Sequence, residues 1–565
     1  MRTRRVFTCV LVLSLLLPPV QARQPDAVGR RGMVVSGSLV ASRVGLNILR
    51  RGGNAIDAAV ATAFALAVVE PRAGNLGGGG FMVIRFADGR TTTIDFREKA
   101  PAGASREMYL DDQGQVIEGL STTGILASGV PGTVRGLELA LVQYGRFSLA
   151  TVLEPAIELA ESGFAVSYQL HKELTDKKDR LAQFEDTRRI FYPGGNALRL
   201  NALFRQPELA ATLQRIAAQG ADEFYTGETA RLLVEHMRQR GGLITMRDLA
   251  DYQAVERPPV EFSYRDARII SMGPPSSGGI ALAQILNQLE QIDLSATEFH
   301  SADHIHYMVE AERRAYADRA YYLGDPDFIR VPVDRLISKA YAARRWQGVS
   351  SEWATSSSDI SRGNVRLLLE SDETTHYGVV DRSGNAVAVT TTINDLYGSG
   401  EVVTGAGFFL NDEMDDFVLK PGSPDKYGVI GSNANAIEPG KRMLSSMTPT
   451  IVTRNDTLFM IVGSPGGTRI ITTVAQIISN VVDFSLDIKE AVEAPRIHHQ
   501  WLPDEIMAEP RAISPETRKR LVRMGHRVRD RDSMIGGAHS IYIDPPTGWY
   551  FGAADSRRES GAAGY

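Results

Sequence analysis

The stretch that most constrains the fold is AIDAAVATAFALAVV, residues Ala55–Val69, in which almost every side chain is small and apolar. It predicts a helix that follows a Gly-Gly stop and begins at a cap formed by Asn54. A helix that is apolar all round must be buried on most of its sides. The segment also carries Asp57 and is too short to span a membrane. We therefore expect it to lie inside a globular protein.

The composition is that of an ordinary large globular protein. The chain has 565 residues, of which 43% are hydrophobic and 23% are charged, so it can bury a sizeable core. Residues 130–345 are mainly helical in pattern. The net charge of −5 is small for this size, and nucleic acid is not an expected partner because phosphates demand a clustered basic surface. No repeat or linker divides the sequence, so one composite domain is predicted.

The N-terminus has the pattern of a signal peptide. MRTRR is basic, VFTCVLVLSLLL is apolar, and PPVQA offers a small-residue exit after Ala22. We predict that residues 1–22 are cleaved and that the protein is exported, to the periplasm or beyond, without a membrane anchor. The single cysteine, Cys9, lies inside this segment. The exported protein would therefore have no disulfide, thiol nucleophile or cysteine-bound metal.

The stretch ESDETTHYGVVD, residues 370–381, joins an acidic run to a strand pattern. The run stops at Glu373, and Thr374 and Thr375 open a strand that leads through DRSG to a second strand, NAVAVTTTI. Threonine favours strands, which is one explanation of the pair. The other is that the chain is cut before Thr374, which then becomes a new N-terminus. The stretch alone leaves both open.

Two glycine-rich stretches resemble catalytic loops at first sight. NLGGGGF, Asn75–Phe81, lacks the Lys-Ser/Thr of a phosphate-binding loop, and close packing of backbones explains it better. VGSPGGTR is not a nucleophile elbow, because Val462 stands where Ser464 would need glycine two residues before it. It does offer Gly466 and Gly467, whose backbone N–H groups could face an oxyanion.

Several polar groups have ordinary structural explanations when taken one at a time. The adjacent His498 and His499 lack the remaining ligands of a metal site, and we interpret them as structural. The other groups are Arg97 in DFREKAP, the pair Ser445 and Ser446 in LSSMTPT, and the acidic cluster Asp412, Glu413, Asp415 and Asp416 in NDEMDDF.

Together and in this order, the motifs resemble those of the γ-glutamyltransferase (γ-glutamyl transpeptidase) family. They are GNLGGGGF, DFREKAP, TTHYGVVDRSGNAVAVTTTIND, NDEMDDF, LSSMTPTIV, GSPGGTRIITTVAQ, APRIHHQWLPDE and GAAGY, and they cover essentially the whole mature chain. The resemblance implies an α+β fold, the four-layer αββα sandwich of N-terminal-nucleophile hydrolases. Two autoprocessed subunits would form it jointly as a heterodimer, with residues 23–373 as the large subunit and 374–565 as the small one.

The resemblance also implies the chemistry. The precursor would cut itself between Glu373 and Thr374, leaving Thr374 as nucleophile. The freed α-amino group, with an unperturbed pKa of about 7.7–8.0, would act as the base tethered to that nucleophile. Thr392 matches a second threonine that the family places beside the hydroxyl. Gly466 and Gly467 would supply the oxyanion hole.

A γ-glutamyl donor presents an α-carboxylate and an α-ammonium far from its scissile amide. The resemblance implies that the carboxylate is bound by Arg97, Ser445 and Ser446, and the ammonium by Asn394, Glu413 and Asp416. Donors would be glutathione and other γ-glutamyl compounds, and acceptors would be water or the amines of amino acids and peptides. The reaction implies no cofactor and no metal.

A long loop rich in proline, glycine and asparagine, residues 418–442, matches a lid found in many bacterial members. Tyr427 and Asn433 are its expected lid residues. Such a lid favours small donors such as glutathione.

Two other functions remain as alternatives. A cephalosporin or glutaryl acylase of the same architecture would bind an acyl group without an ammonium. The set Asn394, Glu413 and Asp416 argues against it, since such a donor would leave buried carboxylates unpaired. An exported amino-acid- or peptide-binding protein would also have a signal peptide and a clamp of Arg97 with the acidic residues Glu413 and Asp416. In that case the chain would stay uncut and would turn over no substrate.

Overall fold

The computed structural model describes residues 24–360, 373–420 and 433–565. The predicted signal peptide (residues 1–22), most of the acidic run before Glu373 and the lid residue Tyr427 lie outside these ranges. Within them, none of the helices has the length and hydrophobicity that a membrane span requires.

Helices occupy much of the region between residues 130 and 345, as the sequence pattern predicts. The helices are α1 (Leu39–Arg50), α2 (Ala55–Val69), α3 (Thr133–Tyr144), α4 (Leu149–Ser162), α5 (Tyr168–Asp176), α6 (Lys178–Leu181), α7 (Glu185–Phe191), α8 (Pro207–Gln219), α9 (Asp222–Thr226), α10 (Glu228–Arg240), α11 (Met246–Ala250), α12 (Gly278–Leu289), α13 (Ala302–Tyr322), α14 (Val333–Leu336), α15 (Lys339–Trp346), α16 (Arg469–Val482), α17 (Ile488–Glu493) and α18 (Pro515–Arg523).

Strands come from both ends of the chain and from its middle. The strands are β1 (Ala27–Gly29), β2 (Gly32–Ser36), β3 (Gly79–Arg85), β4 (Thr91–Asp95), β5 (Phe164–Ala165), β6 (Leu203–Phe204), β7 (Val255–Arg257), β8 (Val260–Tyr264), β9 (Ala267–Ser271), β10 (Thr375–Asp381), β11 (Ala386–Thr392), β12 (Thr450–Arg454), β13 (Thr457–Gly463), β14 (Ile497–His498), β15 (Ile506–Ala508), β16 (Val528–Asp530), β17 (His539–Ile543), β18 (Tyr550–Ala554) and β19 (Gly561–Gly564).

Two seven-stranded sheets dominate the architecture. One has the order β1-β18-β17-β13-β12-β9-β8 and the other β19-β2-β10-β11-β3-β4-β7. In the second sheet β10 pairs antiparallel with β2, and β11 with β3, so strands from after Thr374 lie between strands from before it. The two parts of the chain therefore share one sheet, and neither can leave without breaking it.

The two sheets stack face to face between helical layers. Met33 and Val35 of β2 belong to the core that the two sheets share, whereas Val34 between them packs with α1 and α2 on the other face. Gly378 of β10 lies against Ile461 of the opposite sheet. Helices α12, α13 and α16 cover that sheet. This arrangement confirms the predicted four-layer αββα sandwich.

The apolar helix α2 is buried over nearly its whole length, as predicted. The side chain of Asn54 accepts hydrogen bonds from the backbone N–H groups of Ile56 and Asp57. The Asn54 N–H donates in return to the Asp57 side chain, which completes a capping box. Asp57 in turn accepts from the backbone of Arg146 and Phe147, at 2.8 and 2.9 Å. The one charged residue of α2 is thus satisfied by the chain that packs over its N-terminus.

The glycine run before β3 permits a close approach of two backbones. A Cβ atom on Gly78 would lie only 2.1 Å from the carbonyl oxygen of Thr392. Asn75 fixes the same contact, because its side chain donates to the Thr392 carbonyl at 3.0 Å and accepts from the Gly78 N–H at 3.0 Å. Close packing, which the sequence favoured over a phosphate loop, is therefore confirmed, and it holds the end of β11 in place.

Replacement of Gly78 by alanine should destabilise the fold by about 1–3 kcal/mol, because the added methyl has no space beside Thr392. The matched control is Gly103→Ala, where the nearest atom to an added Cβ is Leu243 at 3.6 Å. Thermal unfolding of both variants checks this, with a lower Tm expected for Gly78→Ala alone. Equal Tm values for the two variants would contradict the packing argument.

Candidate active site

The pairing of β10 with β11 puts two threonines side by side. Thr375 lies opposite Thr391 in the sheet, so Thr374, one residue earlier, reaches the end of β11 at Thr392. The Thr392 hydroxyl donates a hydrogen bond of 2.9 Å to the carbonyl oxygen of Glu373. The peptide carbonyl in front of Thr374 is therefore already held by a hydroxyl donor.

A small pocket adjoins Thr374 and collects residues from distant parts of the sequence. Its lining residues are Arg97, Thr374, Thr392, Asn394, Glu413, Asp416, Ser445, Ser446, Met447, Gly467 and Ile470. Most of the site residues predicted from the sequence are thus neighbours. Gly466, Glu373 and Asn433 are not among the lining residues.

Arg97 is the centre of the pocket's charges, and its side chain is fully buried. Its guanidinium lies 2.5 Å from Glu413, in direct contact with Asp416, and 3.5 Å from Glu98. It also donates to the backbone carbonyl of Met443. One cation therefore faces three buried carboxylates, which leaves an excess of negative charge.

Burial decides where this excess charge is relieved. It raises the pKa of Glu98 from 4.5 to about 8, against the lowering effect of Arg97. Burial also raises the pKa of Glu413, but the 2.5 Å contact with Arg97 favours an ionised Glu413. Glu98 lies 3.5 Å from the Arg97 guanidinium, farther than Glu413, so an ionised Glu98 is stabilised less. We assign the extra proton to Glu98.

Glu98 is a site residue that the sequence analysis missed. The signal was present, because Glu98 directly follows Arg97 in the DFREKAP motif. Neighbours in a strand point to opposite faces, which disfavours a shared site. However, β4 ends at Asp95, so this alternation does not apply to Arg97 and Glu98, which lie beyond the strand.

The serine pair is fixed by its surroundings. The backbone N–H of Ser445 donates to Pro275 at 3.0 Å, and its hydroxyl accepts from the N–H of Met447 at 3.2 Å. The Ser446 hydroxyl accepts from Arg319 at 2.9 Å. Both hydroxyls therefore reach the pocket in defined orientations.

Asn394 connects the two threonines to the acidic segment. It follows β11 in a left-handed backbone conformation, with φ of 73°. Its N–H donates to the Thr392 hydroxyl at 2.8 Å, and its side chain donates to the Asp412 carbonyl at 3.0 Å. Asp412 precedes the short 3-10 turn Glu413–Asp416. The same contacts thus set the positions of Thr392 and of the pocket carboxylates.

Gly466 and Gly467 form the turn before helix α16. Their φ angles of 132° and 57° lie in the region that favours glycine. Within the described parts of the chain, neither N–H donates a hydrogen bond. Because a helix N-terminus attracts negative charge, this turn suits the binding of an oxyanion.

The described part of the loop that is predicted to form a lid contacts the pocket residue Asp416 through an unexpected residue. Asn433, predicted as a lid residue, is exposed in the 3-10 turn Asn433–Asn435. Asn435 is the residue that contacts the clamp, since its side chain donates to the Asp416 carbonyl at 2.6 Å and accepts from the Leu444 N–H at 2.9 Å. The lid role of Asn433 stays a prediction.

The paired histidines have structural contacts, as the sequence indicated. The Nδ1 of His498 bonds Thr472 at 2.9 Å, and the Nε2 of His499 bonds Asp504 at 3.2 Å. Burial lowers the pKa of His499 to about 4, so it is neutral at ordinary pH.

One group of residues in the described chain has metal-ligating atoms close together: His306, Glu310 and His526. The two imidazoles bond each other at 2.8 Å, and Glu310 is paired with Arg313 and Arg314. These atoms already satisfy one another. We interpret the group as a buried hydrogen-bonded network.

A two-sheet sandwich between helical layers, with threonine before a central strand, defines the class of N-terminal-nucleophile hydrolases. Residues 41–565 match the family Gamma-glutamyltranspeptidase, and the chain belongs to that family.

Named relatives agree with this assignment. The chain is 49% identical over 540 residues to the glutathione hydrolase proenzyme of Escherichia coli strain K12, covering 95% of this chain and 91% of the relative. The solved Helicobacter pylori gamma-glutamyltranspeptidase chain is 46% identical with a TM-score of 0.58, over 60% of this chain and 96% of that one. The cephalosporin acylase of Bacillus halodurans is 27% identical with a TM-score of 0.85, over 98% and 99%.

The raised pKa of Glu98 predicts a pH dependence of stability. Between pH 4.5 and about 8 the folded protein keeps a proton on Glu98 that the unfolded chain releases. The free energy of unfolding is therefore highest below pH 4.5 as far as Glu98 is concerned, and it decreases as the pH rises towards about 8. Glu98→Gln removes this titration, so the Tm of the variant minus that of the wild type should increase between pH 4.5 and about 8. Parallel Tm–pH curves for the two proteins would contradict the assignment of the proton.

Proposed function

We propose that this chain is a self-cleaving γ-glutamyltransferase and glutathione hydrolase whose nucleophile is the hydroxyl of Thr374. It forms a γ-glutamyl ester on Thr374 and passes the acyl group to water or to the amine of an amino acid or peptide. The observation that carries the proposal is the shared pocket. There, Thr374 lies with the Arg97 guanidinium and the carboxylates of Glu413 and Asp416.

The first reaction is the cut of the chain itself. The Thr374 hydroxyl attacks the Glu373 carbonyl, whose oxygen already accepts from Thr392 at 2.9 Å, and that donor stabilises the developing oxyanion. The peptide C–N bond breaks to give an ester, and water hydrolyses the ester to the Glu373 carboxylate and the Thr374 amine. This α-amino group, with a pKa of about 8, is the base for later turnovers.

Two findings support the cut. The E. coli relative is named a proenzyme. The solved H. pylori chain is 96% covered by the alignment but spans only 60% of this chain, as a piece ending near Glu373 would. The products would be a large subunit, residues 23–373, and a small subunit, residues 374–565. They would stay together because β10 and β11 lie between β2 and β3.

The pocket's charges support the choice of a γ-glutamyl substrate. The donor's α-carboxylate would bind Arg97, with the hydroxyls of Ser445 and Ser446. Its α-ammonium would bind Glu413, Asp416 and Asn394. With Glu98 protonated, the carboxylates of Glu413 and Asp416 face one guanidinium. The ammonium of a zwitterionic donor then finds a carboxylate partner and balances the donor's own carboxylate, whereas a purely anionic ligand increases the negative excess.

The acyl transfer itself needs donors for the oxyanion of the tetrahedral intermediate. The N–H groups of Gly466 and Gly467 would supply them, a contribution of about 3 kcal/mol per donor in comparable sites. Water gives hydrolysis, and an amine gives transpeptidation. Glutathione is the expected donor, in line with the name of the E. coli relative. The signal peptide, residues 1–22, would direct this activity outside the cytoplasm.

An acylase is the second candidate, since a cephalosporin acylase shares the fold. An acyl group without an ammonium would add its carboxylate to a pocket that already has excess negative charge. The clamp of Arg97, Glu413 and Asp416 therefore favours the γ-glutamyl donor. A binding protein without turnover would give no reason for the Thr392 hydroxyl to hold the Glu373 carbonyl.

Thr374→Ala should leave one uncut chain with no turnover of γ-glutamyl-p-nitroanilide, because the nucleophile is gone. Thr374→Ser is the matched control, since it retains a hydroxyl and should still be cut, with lower activity. Intact-mass spectrometry of the purified proteins reads out the cut. Two fragments meeting at Glu373/Thr374 from the alanine variant would refute self-cleavage by Thr374.

Asp416→Asn should lower kcat/KM for γ-glutamyl-p-nitroanilide by about 10- to 100-fold, since it removes a charged partner of the ammonium. It should lower kcat/KM for glutaryl-p-nitroanilide less, so the preference shifts towards the substrate without ammonium. Asp415→Asn is the control, because Asp415 bonds Ser121 and does not line the pocket. An equal loss on both substrates would mean that Asp416 does not recognise the ammonium.

A further inference from the structure

Two arginines hold the side chain of Glu373, the residue before the predicted cut. Arg558 contacts its carboxylate with both terminal nitrogens, one of them at 3.2 Å, and Arg72 lies 3.5 Å from it. Neither arginine lines the clamp pocket around Arg97. A second carboxylate-binding group therefore lies next to Thr374, separate from the clamp.

Both arginines are held by other groups. Arg72 is buried and pairs with Glu70 at 2.7 Å and with Glu173 at 3.3 Å. The stem of Arg558 lies directly on the backbone of Gly537, where a Cβ atom would come within 2.8 Å of it. Their guanidinium groups are thus placed before any ligand arrives, which reduces the entropy lost on binding.

Further arginines lie on the Arg558 side of this group, whereas Glu70 and Glu173 lie on the Arg72 side. Burial, together with Arg531 and Arg558, lowers the pKa of Arg469 to about 9. Burial also lowers the pKa of His539 to about 4, with contributions from Arg72 and Arg558. An anion beside Arg558 is therefore attracted by several guanidinium groups, whereas Arg72 also keeps two carboxylates of its own.

The proposed cut changes what this group can hold. Afterwards Glu373 is the end of a separate chain and is no longer bonded to Thr374. The γ-glutamyl group then occupies the clamp, so the amine that leaves or attacks the Thr374 ester lies outside the clamp. The peptide part of glutathione and every amino-acid or peptide acceptor carries a carboxylate, which two fixed guanidinium groups suit.

We propose that, in the cut protein, Arg558 and Arg72 bind the carboxylate of the amine partner, both the peptide leaving group and the acceptor. This inference rests on the proposed function. It makes Arg558 a specificity residue for the second substrate, distinct from the clamp that recognises the γ-glutamyl group. The side chain of Glu373 occupies the same guanidinium groups in the uncut chain, so the site becomes available only with self-cleavage.

The test compares two acceptors that differ in this one group, glycylglycine and glycylglycinamide, with γ-glutamyl-p-nitroanilide as donor. The wild type should show a kcat/KM at least about tenfold higher for glycylglycine, as expected for a charge-assisted hydrogen bond. In Arg558→Gln this acceptor ratio should fall towards one, and Arg558→Lys should restore part of it. Arg454→Gln, which removes an arginine paired with Asp266 instead, should keep the wild-type ratio.

The outcomes distinguish a failure of the proposed carboxylate subsite from a failure of the proposed γ-glutamyltransferase activity. Intact mass first establishes that each sample is cut. A wild type without acceptor preference, or a cut Arg558→Gln with an unchanged ratio, would overturn the subsite. If Arg558→Gln stays uncut, the proposal is judged on the acceptor ratios of the wild type and of Arg558→Lys. A lower ratio in Arg558→Lys than in the wild type supports the subsite, and equal ratios overturn it. A wild type that turns over no γ-glutamyl donor would instead refute the proposed function itself.

Discussion

The pairing of β10 with β11 is the contact on which the rest of the site depends. It sets Thr374 beside Thr392 and lets the Thr392 hydroxyl hold the Glu373 carbonyl at 2.9 Å. Both strands lie in the middle of a sheet whose other members, except β19, precede Thr374. A central strand is fixed by ladders on both sides, so the reacting groups are positioned by the most rigid part of the fold. The same ladders would keep the two pieces together after a cut.

Electrostatics divides the surroundings of Thr374 into two parts. On one side Arg97 is outnumbered by carboxylates, and the proton on Glu98 relieves the excess. On the other, arginines gather around the side chain of Glu373. An acidic part suits the ammonium of a donor, and a basic part suits the carboxylate of an amine partner. In the proposed mechanism, this division gives the Thr374 hydroxyl two binding surfaces of opposite character.

The sequence predicted those parts of the structure that depend on interactions between residues close together in the chain. The cap at Asn54, the apolar helix α2 and the strand pair after Thr374 follow from patterns within a few residues. The pocket residues were predicted only from the resemblance to the motifs of the γ-glutamyltransferase family. Their spacing in the sequence does not indicate that Arg97 and Glu413 are in contact. The contact between Glu373 and Arg558 spans 185 positions and has no local signature. Long-range pairing of buried charges is fixed by the packed sheets, so it could be found only in the structure.

The central claim is that the acyl group passes through the Thr374 hydroxyl. The direct test is to mix the cut protein with excess γ-glutamyl donor, stop the reaction in acid within the turnover time, and measure intact masses. The account predicts that the chain beginning at Thr374 gains the mass of one γ-glutamyl group, and that fragmentation locates it on Thr374. A γ-glutamyl adduct on another residue would contradict the account.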